Sequence, residues 1–148
     1  MIKVLFACHG NICRSVMAEM MMKNELHKLH RESQFFIDSA ATSREELGNP
    51  IYPPARRKLL EKGIDPGNHR ARQVTPSDYH SFDLIIGMDS ANVRNLVSLF
   101  GGDPENKVRL MMSYAGSERG IADPWYTDDF EATYQDLRLS IAALLESF

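Results

Sequence analysis

The feature that most constrains the fold of this chain is an apolar segment that leads directly into a loop with two cysteines and an arginine. Residues 2–7 are apolar except for Lys3, and the loop reads Cys8-His9-Gly10-Asn11-Ile12-Cys13-Arg14-Ser15. The apolar run predicts a strand covered on both faces of a sheet, and Ser15 is the predicted N-cap of a long helix. Such a loop can direct several backbone N–H groups at one point, where the helix dipole adds positive potential. The segment therefore predicts a cradle for a tetrahedral oxyanion.

The rest of the chain alternates short apolar runs with amphipathic stretches, a pattern typical of β/α folds. Strands are predicted at residues 35–38, 83–88 and 108–112, and helices at residues 55–62, 90–100 and about 130–148, with Gly63 as the C-terminal cap of the first. We therefore expect residues 1–148 to form a single α/β domain, an open, twisted, four-stranded parallel sheet flanked by helices on both faces. Ligands of such sheets bind beyond the carboxyl ends of the strands, which is where the phosphate-binding loop after strand one lies.

Composition argues against several classes of function. The chain has 148 residues, a formal net charge of −3 and no apolar run that could span a membrane, so we expect no binding to nucleic acid or membranes. The only cysteines are Cys8 and Cys13, and a disulfide between such near neighbours would stabilise little of the fold. We expect free thiols and a cytoplasmic location. The histidines lack ligand-like grouping, so neither a metal nor another cofactor is expected.

The side chains of the loop match the requirements of phosphate chemistry. The fork of Arg14 can make two parallel hydrogen bonds to phosphate oxygens while the sulfur of Cys8 attacks phosphorus as a thiolate. Gly10 allows close approach of the backbone, Asn11 tolerates a left-handed conformation, and Ser15 can donate a hydrogen bond to the thiolate. A cysteine and an arginine at this spacing also occur by chance, but the strand before them and the helix after them favour the functional interpretation.

The segment Asp123-Pro124-Trp125-Tyr126 carries the best candidate for the general acid that a leaving alkoxide or phenoxide needs. The proline after Asp123 disfavours helical geometry at that residue, and Trp125 and Tyr126 offer aromatic surface for an aryl group. The alternative interpretation is an ordinary Asp-Pro turn before a helix. The segment by itself leaves both open.

Together these motifs resemble the low-molecular-weight protein tyrosine phosphatase family. The similarity runs nearly from end to end and includes Asp38-Ser39-Ala40-Ala41-Thr42-Ser43, Gly48-Asn49-Pro50, Ala71-Arg72-Gln73-Val74-Thr75 and Met88-Asp89-Ser90-Ala91-Asn92. The resemblance implies that Cys8 is the nucleophile, that Arg14 binds phosphate, and that Asp123 acts as general acid and then as general base toward water. The residues that it implies in supporting roles around the loop are Asn11, Ser15, Ser39, His69 and Asp89.

The substrate pocket that the resemblance implies departs from the family pattern at its mouth. Its expected residues are His9, Gly10, Asn11, Ile12, Cys13, Ser15, Glu45, Trp125 and Tyr126. His9 replaces a usually aliphatic residue, and Arg44-Glu45-Glu46 replaces a segment that often holds an aromatic residue, which leaves Trp125 as the main aromatic wall. Val16 replaces the usual proline after the Arg-Ser pair, so we expect a less rigid helix start with intact catalysis.

The resemblance implies hydrolysis of phosphotyrosine and small aryl phosphates through a cysteinyl phosphate, with phosphotyrosine proteins or peptides as partners and a monomer or weak homodimer as the assembly. An arginine phosphatase of the same family is the alternative, although such enzymes carry threonine where Ile12 stands. A thioredoxin-linked arsenate reductase needs further cysteines, and none follows Cys13. A phosphocysteine relay protein would have no use for Asp123 as an acid, and a non-enzymatic anion-binding module is the last alternative.

Cys13 has two interpretations of its own. It can capture oxidised Cys8 in a disulfide that protects the nucleophile from irreversible oxidation. Alternatively, it is a buried cysteine that serves packing alone.

Overall fold

The computed structural model describes all of residues 1–148. At its centre lies one sheet of four strands, β1 (Ile2–Cys8), β2 (Phe35–Ala41), β3 (Leu84–Gly87) and β4 (Val108–Leu110). All strand pairs are parallel, and the strand order is β2-β1-β3-β4. The carboxyl ends of the strands therefore share one edge of the sheet. The predicted open four-stranded parallel sheet is confirmed.

Helices cover both faces of the sheet, as predicted. They are α1 (Arg14–Lys28), α2 (Pro53–Glu61), α3 (Asp78–Ser81), α4 (Ser90–Phe100), α5 (Pro124–Thr127) and α6 (Phe130–Glu146), with 3₁₀ turns at Glu32–Gln34 and Met111–Ala115. Because side chains alternate along a strand, β1 contributes to two cores. Val4 and Phe6 pack in the larger core with α1 and α6, whereas Leu5 and Ala7 pack in a smaller core with α3 and α4. No helix is long and apolar enough to cross a membrane.

Element boundaries differ from the sequence predictions for local reasons. α2 begins at Pro53, since proline is compatible with the first turn of a helix, and it ends at Glu61, shortly before Gly63 with its φ of 74°. β2 extends to Ala41 because it stays paired with β1 along its whole length. β4 is short because the chain turns into a 3₁₀ helix at Met111.

The start of α1 also differs from the prediction. The helix begins at Arg14 and its N-cap is Cys13, with no side-chain hydrogen bond at the cap, so the prediction that Ser15 is the N-cap is wrong. Ser15 is the second residue of the helix and is fully buried. Its hydroxyl is not available for capping because it contacts the side chains of Cys8 and Asn11.

The edge of the sheet at the carboxyl ends of the strands, which we call the functional edge, brings together segments that are far apart in the sequence. The Cys8–Ser15 loop follows β1, and Asp89 lies two residues after β3. A third segment reaches this edge because the N–H of Ile121 bonds the carbonyl of the residue that follows β3. Gly120 permits this approach, since a Cβ there would lie 2.7 Å from the Cβ of Asp89. The contact brings Asp123, two residues further on, beside the loop.

Candidate active site

Cys8, the last residue of β1, lies in a small cleft at the functional edge of the sheet. Its side chain is almost fully buried. The sulfur lies 3.0 Å from Oγ of Ser15, and the backbone N–H of Asn11 donates to it at 3.3 Å. With the hydroxyl of Ser15 as donor, two hydrogen bonds converge on the sulfur and stabilise negative charge there.

Asn11 holds the loop in shape with its side chain and its carbonyl group. The residue is fully buried in a left-handed conformation, with a φ of 59°. Its Nδ2 donates to Oγ of Ser15 at 2.8 Å and to Oγ of Ser39 at 3.0 Å. Its Oδ1 accepts from the N–H of Arg72 at 3.2 Å, and its carbonyl oxygen accepts from Nε2 of His69 at 2.6 Å. The structure thus brings Ser39 and His69, two residues singled out in the sequence, into contact with the loop.

A buried carboxylate that the sequence prediction did not include completes this network. Glu19 of α1 is 5% exposed, and its Oε1 accepts a 2.6 Å hydrogen bond from Oγ of Ser39. Lys23, one turn later, donates to the other carboxylate oxygen. A signal was present in the sequence, because Glu19 is the first acidic residue of an otherwise apolar stretch and stands four residues after Ser15.

Arg14 places a buried positive charge next to Cys8. Its Nη1 donates to Oδ2 of Asp89 at 2.7 Å and to the carbonyl of Ile121 at 2.8 Å, and its Nη2 lies 3.4 Å from Oδ2 of Asp123. Burial lowers the pKa of Arg14, but the negative charges of Cys8, Asp89 and Asp123 outweigh burial and raise that pKa above its usual value. Nε is buried and has no hydrogen-bond partner within the chain. Arg14 therefore stays charged and keeps a donor for an anion.

Asp123 is the N-cap of α5 and also a carboxylate of the cleft. Its Oδ1 accepts from the N–H of Trp125 at 3.1 Å. Its backbone is extended, with φ of −75° and ψ of 113°, and Pro124 opens the helix. Both sequence interpretations therefore describe this residue, since Asp123 makes an Asp-Pro turn before a helix and also lines the cleft that contains Cys8.

The catalytic cleft has a volume of about 110 Å³ and is lined by Cys8, His9, Gly10, Ile12, Cys13, Arg14, Glu45, Glu46, Asp123, Trp125 and Tyr126. Asn11 and Ser15, which were expected in the pocket, are fully buried and support the loop from within. Glu46 was not predicted, and its side chain packs so closely on Gly10 that a Cβ there would lie 3.3 Å from its Cγ. No group of three or more His, Cys, Asp or Glu side chains is arranged to hold a metal ion.

The mouth of the catalytic cleft carries a hydrogen-bonded pair of side chains and an aromatic surface. Nε2 of His9 lies 2.9 Å from Oε2 of Glu45, and these side chains are 49% and 69% exposed. The ring of Trp125 packs on Tyr52 with 4.7 Å between centroids, and Tyr126 is almost fully exposed. Tyr52 was missed in the sequence because it stands in a proline-flanked segment with no chemical signature.

Cys13 lines the cleft together with Cys8 and is likewise buried. Burial raises the pKa of Cys13, and the negative charges of Cys8 and Asp123 raise it further against the opposing effect of Arg14. Both cysteines are free. Cys13 is therefore a neutral thiol that packs in the larger core, and its protective role toward Cys8 stays a prediction.

Comparison with known proteins agrees with this geometry. Residues 3–148 match the family described as low molecular weight phosphotyrosine protein phosphatase. The chain is 40% identical to the member from Schizosaccharomyces pombe, over 92% of this chain and 90% of that protein. The crystal structure of YfkJ from Bacillus subtilis has a TM-score of 0.95 at 36% identity, over 99% of this chain and 94% of that one. A Drosophila arginine phosphatase has a TM-score of 0.89 at 28% identity, over 99% and 97%. This chain belongs to the low molecular weight phosphotyrosine protein phosphatase family.

Proposed function

We propose that the protein hydrolyses phosphotyrosine in proteins or peptides through a cysteinyl-phosphate intermediate. The observation that carries this proposal is the convergence of the Cys8 sulfur, the Arg14 guanidinium and the Asp123 carboxyl group on one cleft. Transfer of a phosphoryl group from an aryl ester requires a nucleophile, stabilisation of charge on the phosphoryl oxygens, and an acid for the leaving group. These three side chains match the three requirements.

In the first step the Cys8 thiolate attacks phosphorus, so that an S–P bond forms and the P–O bond to the phenol breaks. Arg14 hydrogen-bonds phosphoryl oxygens, which supplies a partner for its buried and otherwise unpaired Nε. Asp123 gives its proton to the phenolate oxygen, and tyrosine leaves as a neutral phenol.

In the second step water attacks phosphorus, and the carboxylate of Asp123 takes a proton from that water. The S–P bond breaks, and inorganic phosphate and the Cys8 thiolate are released. The departing sulfur gains negative charge, and the donors on it are Oγ of Ser15 at 3.0 Å and the N–H of Asn11 at 3.3 Å. Fixed donors of this kind lower the barrier because they do not have to reorganise during the reaction.

The walls of the cleft favour an aryl ester over an alkyl ester. Ile12, Trp125 and Tyr126 offer apolar and aromatic surface above Cys8. Trp125 is held by its packing on Tyr52, so its ring is available as a fixed wall. A contact between two aromatic rings contributes about 0.5–1.5 kcal/mol beyond the burial of apolar area. A phenyl ester can make such a contact with Trp125 and an alkyl ester cannot, which supports phosphotyrosine over phosphoserine as the substrate.

The decisive experiment replaces Cys8 with serine. Cys8→Ser should abolish hydrolysis of p-nitrophenyl phosphate while inorganic phosphate still binds in calorimetry, because Arg14 and the loop amides remain. Cys13→Ser makes the same change at the other buried cysteine of the loop and should retain part of the turnover, so it shows how much of the loss follows from replacing a buried thiol by a hydroxyl. Unchanged hydrolysis by Cys8→Ser would overturn the proposal.

Phosphoarginine is the second candidate substrate, because one structure of this fold at 28% identity is an arginine phosphatase. The apolar side chain of Ile12 offers no hydrogen bond to a guanidino group and favours the phenyl ester. We expect a higher kcat/KM for a phosphotyrosine peptide than for phosphoarginine, and we expect Ile12→Thr to shift that ratio toward phosphoarginine. Ile12→Val is the control and should leave the ratio unchanged. A higher kcat/KM of the wild-type protein for phosphoarginine would reverse the assignment.

The proposal extends to assembly and location. We infer a monomer or weak homodimer that acts on phosphotyrosine proteins in the cytoplasm. Support for the location comes from the two free thiols, one of them the proposed nucleophile, which a reducing compartment keeps active. Light scattering across a concentration series tests the assembly, and cell fractionation tests the location.

A further inference from the structure

A second cleft lies on the surface between the first turn of α2 and residues 67–70, and has a volume of about 520 Å³. Ile51, Arg56, Arg57, His69 and Arg70 are among its walls, and we call it the arginine cleft. The catalytic machinery described above uses none of its three arginines. Its volume lies within the range of about 300–1,000 Å³ that is typical of sites for small molecules.

The charge of the arginine cleft is of one sign. No acidic residue lines it, whereas the catalytic cleft contains Glu45, Glu46 and Asp123. The arginines of the chain that form salt bridges are Arg14, Arg72 and Arg119, and none of these lines the arginine cleft. Arg56, Arg57 and Arg70 therefore form no salt bridge in a chain whose net charge is −3, although Arg57 and Arg70 also line neighbouring clefts that contain carboxylates. Unpaired positive charges raise the local concentration of anions, and a bound anion reduces the repulsion between these charges.

The geometry points to a small soluble anion with two or more phosphate groups as the ligand of the arginine cleft. A guanidinium group is planar and always charged, and it matches phosphate oxygens with two parallel hydrogen bonds. Three such groups carry more positive charge than one phosphate group neutralises, because a phosphate monoester carries a charge of about −1.5 to −2 at pH 7. An anion with several phosphate groups engages them together, and each further contact then forms within the complex.

The walls of the arginine cleft also hold the catalytic loop. His69 donates from Nε2 to the carbonyl of Asn11 at 2.6 Å. Tyr52, next to Ile51, donates its backbone N–H to the carbonyl of Ile12 at 2.9 Å. A ligand that orders these walls should therefore strengthen phosphate binding in the loop, and by linkage phosphate should strengthen binding of the ligand.

Tripolyphosphate is the probe for this inference. Calorimetric titration in excess inorganic phosphate, which occupies the catalytic loop, should show one tripolyphosphate per chain. The triple variant Arg56→Gln/Arg57→Gln/Arg70→Gln should weaken this binding by about tenfold or more, a change of about 1.4 kcal/mol. The matched variant Arg94→Gln/Arg109→Gln/Arg138→Gln removes the same charge from other exposed positions and should change the affinity less than about twofold.

Several outcomes would overturn the inference. If tripolyphosphate binding weakened equally in the two triple variants, the binding would reflect a general attraction between the anion and the positive charges of the surface. Purely competitive inhibition of aryl phosphate hydrolysis, with no binding in excess phosphate, would place tripolyphosphate in the catalytic loop. If the protein bound vesicles that carry phosphorylated inositol lipids but did not bind free tripolyphosphate, the ligand would be a membrane surface and not a soluble anion. Thermal unfolding of both variants should match the wild type because the replaced side chains are exposed.

The coupling between the clefts has its own measurement. Tripolyphosphate should lower the inhibition constant of inorganic phosphate by about fivefold or more in the wild type, and not in the Arg56→Gln/Arg57→Gln/Arg70→Gln variant. An unchanged inhibition constant would refute the coupling. The titration itself requires no turnover, so its result stands apart from that of the Cys8→Ser experiment.

Discussion

At the floor of the catalytic cleft, Cys8, Asn11, Arg14 and Ser15 are at most 3% exposed, and their polar atoms bond almost entirely to one another and to buried neighbours. At the mouth, His9, Glu45, Trp125 and Tyr126 are all about half exposed or more. Hydrogen bonds and charges act more strongly in the buried floor, where the effective dielectric constant is low. The floor is thus suited to the chemistry, and the mouth is free to vary with the substrate.

Asp123 connects these two regions, and its loss should have the largest effect of the three changes considered below. Asp123→Asn keeps an oxygen to accept from the N–H of Trp125 but has no proton to give. We expect kcat/KM for phenyl phosphate to fall by about 10²–10⁴-fold. The loss should be smaller for p-nitrophenyl phosphate, because its leaving group departs without a proton. Steady-state rates for both substrates measure this difference.

The control for Asp123→Asn lies in the same segment. Asp128 ends α5 in a left-handed conformation with a φ of 59°, which asparagine also tolerates. Asp128→Asn should therefore leave both rates unchanged. Equal losses for the two aryl phosphates in Asp123→Asn would remove Asp123 as the acid.

Replacement of Asn11 tests whether the floor depends on preorganisation. Asn11→Ala removes the donor to Ser15 and Ser39, and each buried polar group left without a partner costs about 1–3 kcal/mol. Alanine also carries a strain of about 1–2 kcal/mol at positive φ. We expect a lower melting temperature and a lower kcat, measured by calorimetric unfolding and initial rates.

Asn11→Gly separates the two contributions, because glycine adopts the φ of 59° without strain but also lacks the side chain. It should be more stable than Asn11→Ala and similarly impaired in kcat. If Asn11→Gly had the kcat of the wild type, the hydrogen bonds of the Asn11 side chain would not be required to hold the loop in its active conformation.

The smallest effect is expected at the mouth. The contact between His9 and Glu45 is exposed, and such pairs contribute about 0.2–1 kcal/mol at most. His9→Leu and Glu45→Gln should therefore leave the melting temperature unchanged and alter KM for phosphotyrosine peptides by less than about tenfold, with kcat retained. Because both single changes remove the same contact, the effect of the double variant should be smaller than the sum of the single effects. A large loss of kcat in either variant would place this pair in the catalytic machinery.

Local patterns in the sequence predicted part of the fold, which the structure confirms, and part of the candidate site. The apolar run of β1 and the alternation of apolar and amphipathic segments predicted the parallel sheet, and the Cys8–Ser15 loop predicted the anion cradle. Boundaries were less accurate. Ser15 looked like an N-cap by its residue type, but its hydroxyl is taken by Cys8 and Asn11, which are contacts that no local rule contains.

Residues that act across the fold were the hardest to find. Glu19 reaches Ser39 of a neighbouring strand, and Tyr52 packs on Trp125 more than seventy positions later. An acidic side chain in an apolar stretch makes Glu19 noticeable, but the sequence does not show which residue it contacts, and Tyr52 has no such signal. Their contribution depends on which elements pack together, so propensity and periodicity carry no signal for it.

The sequence by itself predicted the candidate reactive groups of this protein and the edge of the sheet at which the structure places them. Strand, loop and helix are adjacent along the chain, and adjacency suffices to place Cys8 and Arg14 together. Only the tertiary structure decided that Asp123 joins them, through the contact of Gly120 with Asp89 and its N-cap position in α5. It also collected Arg56, Arg57 and Arg70 into one cleft. Contacts between distant segments depend on how the elements pack, which the local sequence does not encode.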